Sequence, residues 1–242
     1  EKYNENLFFT MFSLYKVINL SIFKELNNIL INDEKPSVKI EALMNEKIFI
    51  ESDFNILNKL KNVPQDKKFH PEGNAWNHTK LVIDTAAKVK EFSVNSEVFM
   101  WSALFHDIGK IETTKFIKGR YRSYNHDKVG KGITYKILIK YFDKEKTEKI
   151  SEIVSFHMHH IYILNDLPFS NIPGLINSSC YNDIIILFIC DKLGRGNQTI
   201  EESNKALLEV NRILDKLNID YKNNNKDVIK KFHQIKDVLI IE

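Results

Sequence analysis

The chain has 242 residues, 43% of them hydrophobic, enough for one substantial core with room for an accessory segment. Its 35 lysines and arginines nearly balance 32 acidic residues, and a net charge of +3 does not mark a dedicated nucleic-acid binder while permitting a local basic patch around an anionic ligand. Cys180 and Cys190 form no CxxC pair and no disulfide framework, and the longest apolar run, IIILFIC at 184–190, is too short to span a bilayer, so a reducing, cytoplasmic setting with no membrane partner is expected.

Residues 7–31 read as an apolar-rich helix or helix pair, placed either to close a bundle or to pair with another subunit. Lys16, Lys24 and Glu25 interrupt that run and no small-residue cleavage site follows, so a signal peptide is not expected. A turn at 32–36 leads into short helical pieces over 38–61 and a polar loop over 64–74. A clear helix begins at Trp76, with an apolar face through His78, Leu81, Val82, Thr85, Ala86 and Val89. A second helix covers 97–108, with Gly109 as its natural stop. Residues 112–123 form a loop with a small hairpin turning at Lys118-Gly119. Further helices follow over 126–142, 146–161, 182–193, 200–217 and 226–239, and residues 164–174 form a loop. There is no internal repeat, and the one low-complexity tract is NNN at 223–225. Eight glycines and five prolines leave few turns, so the fold class is all-α with at most a minor β element.

The chemistry-bearing residues fall on the inward faces of these helices. His78 lies on the apolar face of its helix, and His106 and Asp107 end the next. His126 is in line with Gly130, Ile133 and Ile137, and His157 continues the stripe of Ile150, Ile153 and Val154. Asp191 is four residues after Leu187 and seven after Ile184, again on an apolar face. A lone histidine on such a stripe is ordinarily a core residue with one hydrogen bond. A buried carboxylate without a partner costs several kcal/mol, which demands a metal or a cation. Four histidines and two aspartates turned inward from five helices, in a chain with eight histidines, make a metal site in a bundle core the stronger reading. Imidazole and carboxylate donors without thiolate suit divalent Mn, Fe, Co, Ni or Zn. A carboxylate can bridge two such ions, and water activated by them can attack phosphorus in line.

Five motifs carry a resemblance: HPEGNAWNHT at 70–79, ALFHDIGK at 103–110, HDKVG at 126–130, HM at 157–158 and CDKLGRG at 190–196. Together they resemble the HD superfamily of metal-dependent phosphohydrolases, and more narrowly the HD domain attached to bacterial tRNA nucleotidyltransferases, the CCA-adding enzymes. The resemblance covers residues 55–198. It implies an HD-type helical bundle over 55–242, preceded by a helical segment, 1–54, that matches nothing in the family. It implies a first divalent ion held by His78, His106, Asp107 and Asp191. In members with two ions, His126 and His157 hold the second and Asp107 bridges. Lys110 would lie near substrate phosphate, and Arg195 is a further phosphate candidate by charge and motif position. The implied activity is phosphohydrolase or phosphodiesterase, by attack of metal-activated hydroxide on a phosphorylated small molecule, a nucleotide or an RNA end. No Gly-Ser followed by paired aspartates stands upstream, so a nucleotidyltransferase domain and CCA addition are not expected.

Other residues have two readings. His70 reads as an ordinary loop residue, or as a contact to substrate. Glu72 reads as a helix-start charge, or as a general base or water-orienting carboxylate. Asp84 lies about 120° from the His78 face and reads as solvated or ion-paired, with the site rim as the alternative. The segment KGRYRSYNH at 118–126 is either a solvated loop or a nucleotide platform of Tyr121, Tyr124, Arg120 and Arg122. His160 is spaced to face the site with His157, whereas His159 falls on the opposite, solvated face. Phe99, Trp101 and Phe105 are core, and His233 is a surface or packing residue. A different class of function remains as the alternative: a module binding tRNA or a partner, with a structural or regulatory metal. The small net charge weighs against it, as does the complete ligand set.

Overall fold

The computed structural model describes residues 2–196, 198–221 and 226–240, with side chains described over 13–196, 198–219 and 227–239. The tract at 223–225 lies outside the described residues. Among the described residues there are fourteen α-helices and one two-stranded hairpin, the all-α class that the scarcity of turn residues predicts.

The N-terminal segment is one helix, α1 (Lys2–Asn32), which buries Ile22, Leu26, Ile29 and Leu30 at helical spacing against α6 (Ser96–Phe105). It therefore closes the bundle, while Leu14 and Val17 stay exposed on its other side. Two polar ties fix it. Trp101 Nε1 donates to Asn27 Oδ1 at 2.8 Å. Asp53 accepts Tyr15 and Tyr141 hydroxyls at 2.6 and 2.8 Å and the Lys140 ammonium at 2.9 Å. Partial burial opposes ionisation of Asp53, but the Tyr15, Lys140 and Tyr141 donors outweigh it and hold the carboxyl below its ordinary value. That tie is fully present above the unfolded carboxyl pKa and is lost as pH falls through the depressed folded value.

Short helices α2 (Pro36–Leu43), α3 (Lys47–Ile50) and α4 (Ile56–Lys59) occupy the stretch expected to hold helical pieces. Asp84 belongs to this packing. Its carboxylate accepts the Ser37 amide at 3.0 Å and the Ser37 hydroxyl at 2.6 Å, satisfying an orphan donor at the start of α2. It is thus a structural cap and does not reach the site rim.

The longer helices have readable starts. α5 (Ala75–Val89), α6 and α9 (Lys144–Phe156) are capped by Asn74, Asn95 and Asp143, whose side chains accept the amides of Asn77, Val98 and Lys146. Each such cap contributes about 1 kcal/mol. The bundle closes around α12 (Tyr181–Leu193), in which every residue from Asp183 to Lys192 is buried, so the helix is surrounded on all sides. It contacts α5, α6 and α9, and it is covered by α13 (Ile200–Tyr221) and α14 (Lys226–Ile240). Phe99, Trp101 and Phe105 are fully buried, as expected. His233 is exposed. Among the described residues no helix is long and apolar enough to cross a membrane, and Cys180 and Cys190 are free thiols.

Two predicted helices are broken. The one expected over 97–108 ends at Phe105, and after a turn the chain resumes as α7 (Lys110–Thr113). The one expected over 146–161 ends at Phe156 and resumes as α10 (His159–Leu164). The loop over 164–174 runs into a short helix, α11 (Ile172–Ile176). The hairpin pairs β1 (Thr114–Ile117) with β2 (Arg120–Ser123), turning at Lys118-Gly119, where both φ angles are positive. It delivers the chain to α8 (His126–Leu138), which packs on α7 and α9.

Gly109 is a point of close approach, not a helix stop. A Cβ there would lie 2.0 Å from the His126 carbonyl oxygen and 2.6 Å from the Gly130 amide. Gly109→Ala should therefore push α8 away and cost about 1–3 kcal/mol, the usual range for forced overpacking. Gly132→Ala, where a Cβ meets nothing within 4 Å, should leave stability unchanged or raise it slightly, since alanine favours the helix. Thermal unfolding of the two variants beside the parent checks this; equal midpoints would show that the approach is not tight.

Candidate metal centre

Adjacent side chains on a regular helix diverge by about 100°. His106 and Asp107, which follow the end of α6 at Phe105, nevertheless reach one centre through their side chains, with His106 Nε2 3.5 Å from Asp107 Oδ2. His126 enters because Gly109 admits the start of α8. His157 sits in the break between α9 and α10, and His160 lies one turn further on the same face. His78 is brought in by a second close approach. A Cβ on Gly194 would lie 2.5 Å from Val82 Cγ2, and the glycine carbonyl accepts from His78 Nδ1 at 2.9 Å. Asp191, near the end of α12, reaches His78 Nε2 at 2.8 Å.

Five imidazoles share one arrangement. The Nδ1 atoms of His78, His106, His126, His157 and His160 lie 2.6–2.9 Å from the main-chain carbonyls of Gly194, Ala103, Ser123, Val154 and His157. A carbonyl only accepts, so Nδ1 carries the proton and Nε2 keeps its lone pair for the centre. His78 Nε2 also stands 3.9 Å from Asp107 Oδ2. On the other side of the same carboxylate, His126 and His157 Nε2 stand 3.3 and 3.6 Å from Oδ1. His160 Nε2 is 3.4 Å from Asp191 Oδ2.

This donor set fits a divalent transition metal. His106 Nε2 and His160 Nε2 are buried with no hydrogen-bond partner. His126 and His157 point Nε2 atoms at each other across 3.0 Å, and two lone pairs at that distance need a proton or a cation between them. Donors bound to one ion at about 2.0–2.2 Å lie about 3–3.5 Å apart, close to the separations seen here. Two groups can hold an ion: His78, His106 and Asp107, and Asp107, His126 and His157. They share Asp107, one carboxylate oxygen facing each.

Electrostatics point the same way. Burial opposes a charge on Asp107, but Lys110, His106, His126 and His157 together hold its carboxyl well below the usual range. Asp191 is held down likewise, against burial, by His78 and His160. Burial pushes His106 down to about 4 and His160 to about 3, and it lowers His126. These rings are neutral and ready to donate. Burial also opposes a charge on His78 and His157, but Asp191 and Glu72 raise the first to about 9 and Asp107 raises the second. In the metal-free protein the ionised carboxylates thus favour a proton on His78 and on His157, positive charge that an ion would otherwise supply.

Lys110 Nζ stands 2.7 Å from Asp107 Oδ2 and donates to Gln65 Oε1 at 2.6 Å. Above the carboxylates opens a cavity of about 620 Å³, lined by Asp107, Asp191, His126, Lys110, His70 and Arg195. The hairpin contributes its far wall through Arg120, Tyr121, Arg122 and Tyr124, so the segment at 118–126 faces this cavity.

Three residues differ from their preferred reading. Glu72 is no mere helix-start charge. Its carboxylate lies 2.9 Å from His70 Nδ1 and 3.1 Å from His78 Nδ1, and its second oxygen accepts the Gly196 amide. His70 stacks edge-on against His78, with ring centroids 4.8 Å apart, and burial lowers it to about 4. Together with His78 they form a third cluster of metal-ligand type. Their place in one motif with His78 was the available signal. His159 is not solvated. The helix break buries it between Phe156 and Tyr162, where Nε2 accepts the Asn171 amide at 3.0 Å.

A helical bundle that gathers imidazoles and carboxylates from several helices onto one buried centre defines a nitrogen–oxygen metal site of the kind divalent transition metals occupy. The family model described as HD domain matches residues 75–196, half of the chain, and the chain belongs to that family, a superfamily of metal-dependent phosphohydrolases. Among curated proteins, a multifunctional CCA protein of Actinobacillus pleuropneumoniae is 36% identical over 77 residues, 32% of this chain and 18% of that protein. Those of Pasteurella multocida and Haemophilus influenzae are 26% and 23% identical over 59% and 68% of this chain. The matches span 35% and 41% of those two proteins, so the chain covers well under half of its curated relatives.

An ion bound only by the folded state at about 100 times its Kd adds about 2.7 kcal/mol, or about 5–10 °C in unfolding midpoint for a chain of this size. Stripped protein should gain that much on addition of Mn, Co, Ni or Zn. His106→Ala and Asp107→Ala should lose the gain and the bound metal. Thermal scans with elemental analysis check both, and an unchanged midpoint with no retained metal in the parent would refute the site.

Proposed function

We propose that the protein hydrolyses a phosphate ester of a nucleotide or of a nucleic-acid end, using one or two divalent ions. The observation that carries this reading is the position of Asp107, shared by two donor groups and lining a cavity beside Lys110. His78, His106, Asp107 and Asp191 are the proposed holders of the first ion, with His160 beside Asp191. His126, His157 and Asp107 are the proposed holders of a second. An ion there supplies Lewis acidity toward phosphoryl oxygen and lowers the pKa of a coordinated water. Mn, Fe, Co, Ni and Zn all suit the donors.

The chain's own groups supply the rest. Lys110 and Arg195 carry fixed positive charge into the cavity and orient the phosphate toward Asp107. Such preset charges act on the negative charge that develops on the phosphoryl oxygens. The hairpin places Tyr121 and Tyr124 where a base can stack, with Arg120 and Arg122 beside them. The name of the relatives, multifunctional CCA protein, favours a nucleotide or an RNA end as substrate. A purely structural metal site would be closed, whereas Asp107 and Asp191 line the cavity, which weighs against a binding module with a structural ion. Residues 55–242 are the proposed metal domain and 1–54 a helical segment that closes it.

Metal-loaded protein should hydrolyse members of a panel of nucleoside monophosphates, cyclic phosphates and phosphodiesters. Lys110→Met should lower kcat by about 10²–10³, the usual loss for one preset electrostatic group, with metal content unchanged. Asp107→Asn should abolish both turnover and metal retention. Full metal loading with no turnover of any substrate would overturn the reading.

A further inference from the structure

A second basin, of about 410 Å³, adjoins the cavity over Asp107 and shares Phe69 and Arg195 with it. Those two residues form the divide. Beyond it stand Lys68, from the loop before α5, and Lys192, Glu202, Lys205 and Glu209, from the end of α12 and from α13. Lys192 and Glu209, 2.6 Å apart, neutralise each other, and the Glu202 carboxylate is held by the Thr199 main-chain amide at 2.8 Å. Among the described residues, Lys68, Arg195 and Lys205 form no ion pair, and Arg195 Nε is buried without a hydrogen-bond partner. Gln198 Oε1, also in this basin, is likewise unpartnered. The Phe69 ring is 46% exposed, with the Lys68 ammonium 5.6 Å from its centroid.

Lys68 and Lys205, beside an exposed ring and outside the first cavity, are cations beyond what the one reacting phosphate requires, since Lys110 and Arg195 already face that phosphate. We infer that the second basin takes the neighbouring phosphate of a nucleic-acid strand, so that the substrate is an oligonucleotide end and not a free mononucleotide. The inference rests on the phosphohydrolase reading of the first cavity. Phosphates in series also occur in a nucleoside triphosphate, but there they adjoin directly. A strand interposes a sugar and a base, and an exposed ring on the divide is placed to stack a base. Lys68, Arg195 and Lys205 then track the backbone.

The test is calorimetric titration of the full chain in EDTA, where turnover is blocked, with a 3′-phosphorylated trinucleotide, a nucleoside 3′-monophosphate and a nucleoside triphosphate. The trinucleotide should bind at least tenfold tighter than either. Lys68→Ala with Lys205→Ala, both exposed positions, should erase that advantage and leave affinity for the monophosphate unchanged. Equal affinity for trinucleotide and monophosphate, no binding at all, or equal weakening of both by the double variant would overturn the proposal. A triphosphate that binds as tightly as the trinucleotide would overturn the strand assignment. If the metal-loaded parent turns over neither ligand while the trinucleotide advantage stands, the phosphohydrolase reading fails and the second basin survives it.

Discussion

Asp107 places a full negative charge inside the protein, out of reach of bulk water. Such a charge is tolerated only if donors and cations surround it at short range, and much of the architecture near the site meets that condition. Lys110 stands against one oxygen, and His126 and His157 turn to the other. His106 and His160 remain unpartnered at Nε2, and the two facing imidazoles at 3.0 Å need a proton between them when no ion is bound. The metal-free arrangement is electrostatically incomplete in a way that a divalent ion resolves.

The backbone makes that arrangement possible through interruptions. α6 ends just before His106 and Asp107, and α9 ends just before His157. Both breaks fall at histidines of the centre. Gly109 lies within the first break, and Gly194 just past the end of α12. Gly109 lets α8 approach α7 and so brings His126 to Asp107, and Gly194 lets the end of α12 approach α5 and receive His78 Nδ1. The carbonyls that pin each imidazole come from these same turns and helix ends, where main-chain acceptors are not used up by the helix ladder.

The remaining cost of order is carried by the core. α12 is buried along its whole middle, which fixes Asp191 on a rigid element, and α1 is clasped from outside by its apolar stripe and by Asp53. The basic and aromatic residues lie on the irregular segments instead: the hairpin, the loop before α5 and the link to α13. A rigid centre under adaptable walls suits a site that must hold its ligands still while admitting a larger anionic substrate.

Helix content, the buried aromatic core and the hairpin turn were legible in the sequence, because apolar periodicity, caps and turn residues are local properties. The burial of the six histidines and aspartates was legible too, since on apolar stripes such residues announce a burial that needs compensation; their role as metal holders is the proposal. The family resemblance rests on those same motifs. What only the tertiary structure decided is how the residues meet. Which oxygen of Asp107 faces which histidines depends on contacts between distant segments. So do the clustering of Glu72 and His70 with His78, the turning of His160 toward Asp191 and the burial of His159. The use of Asp84 as a cap for a helix 47 residues away does so as well. The spacing of a motif fixes direction only within one element, whereas these partners are set by the close approaches at Gly109 and Gly194 and by the two helix breaks.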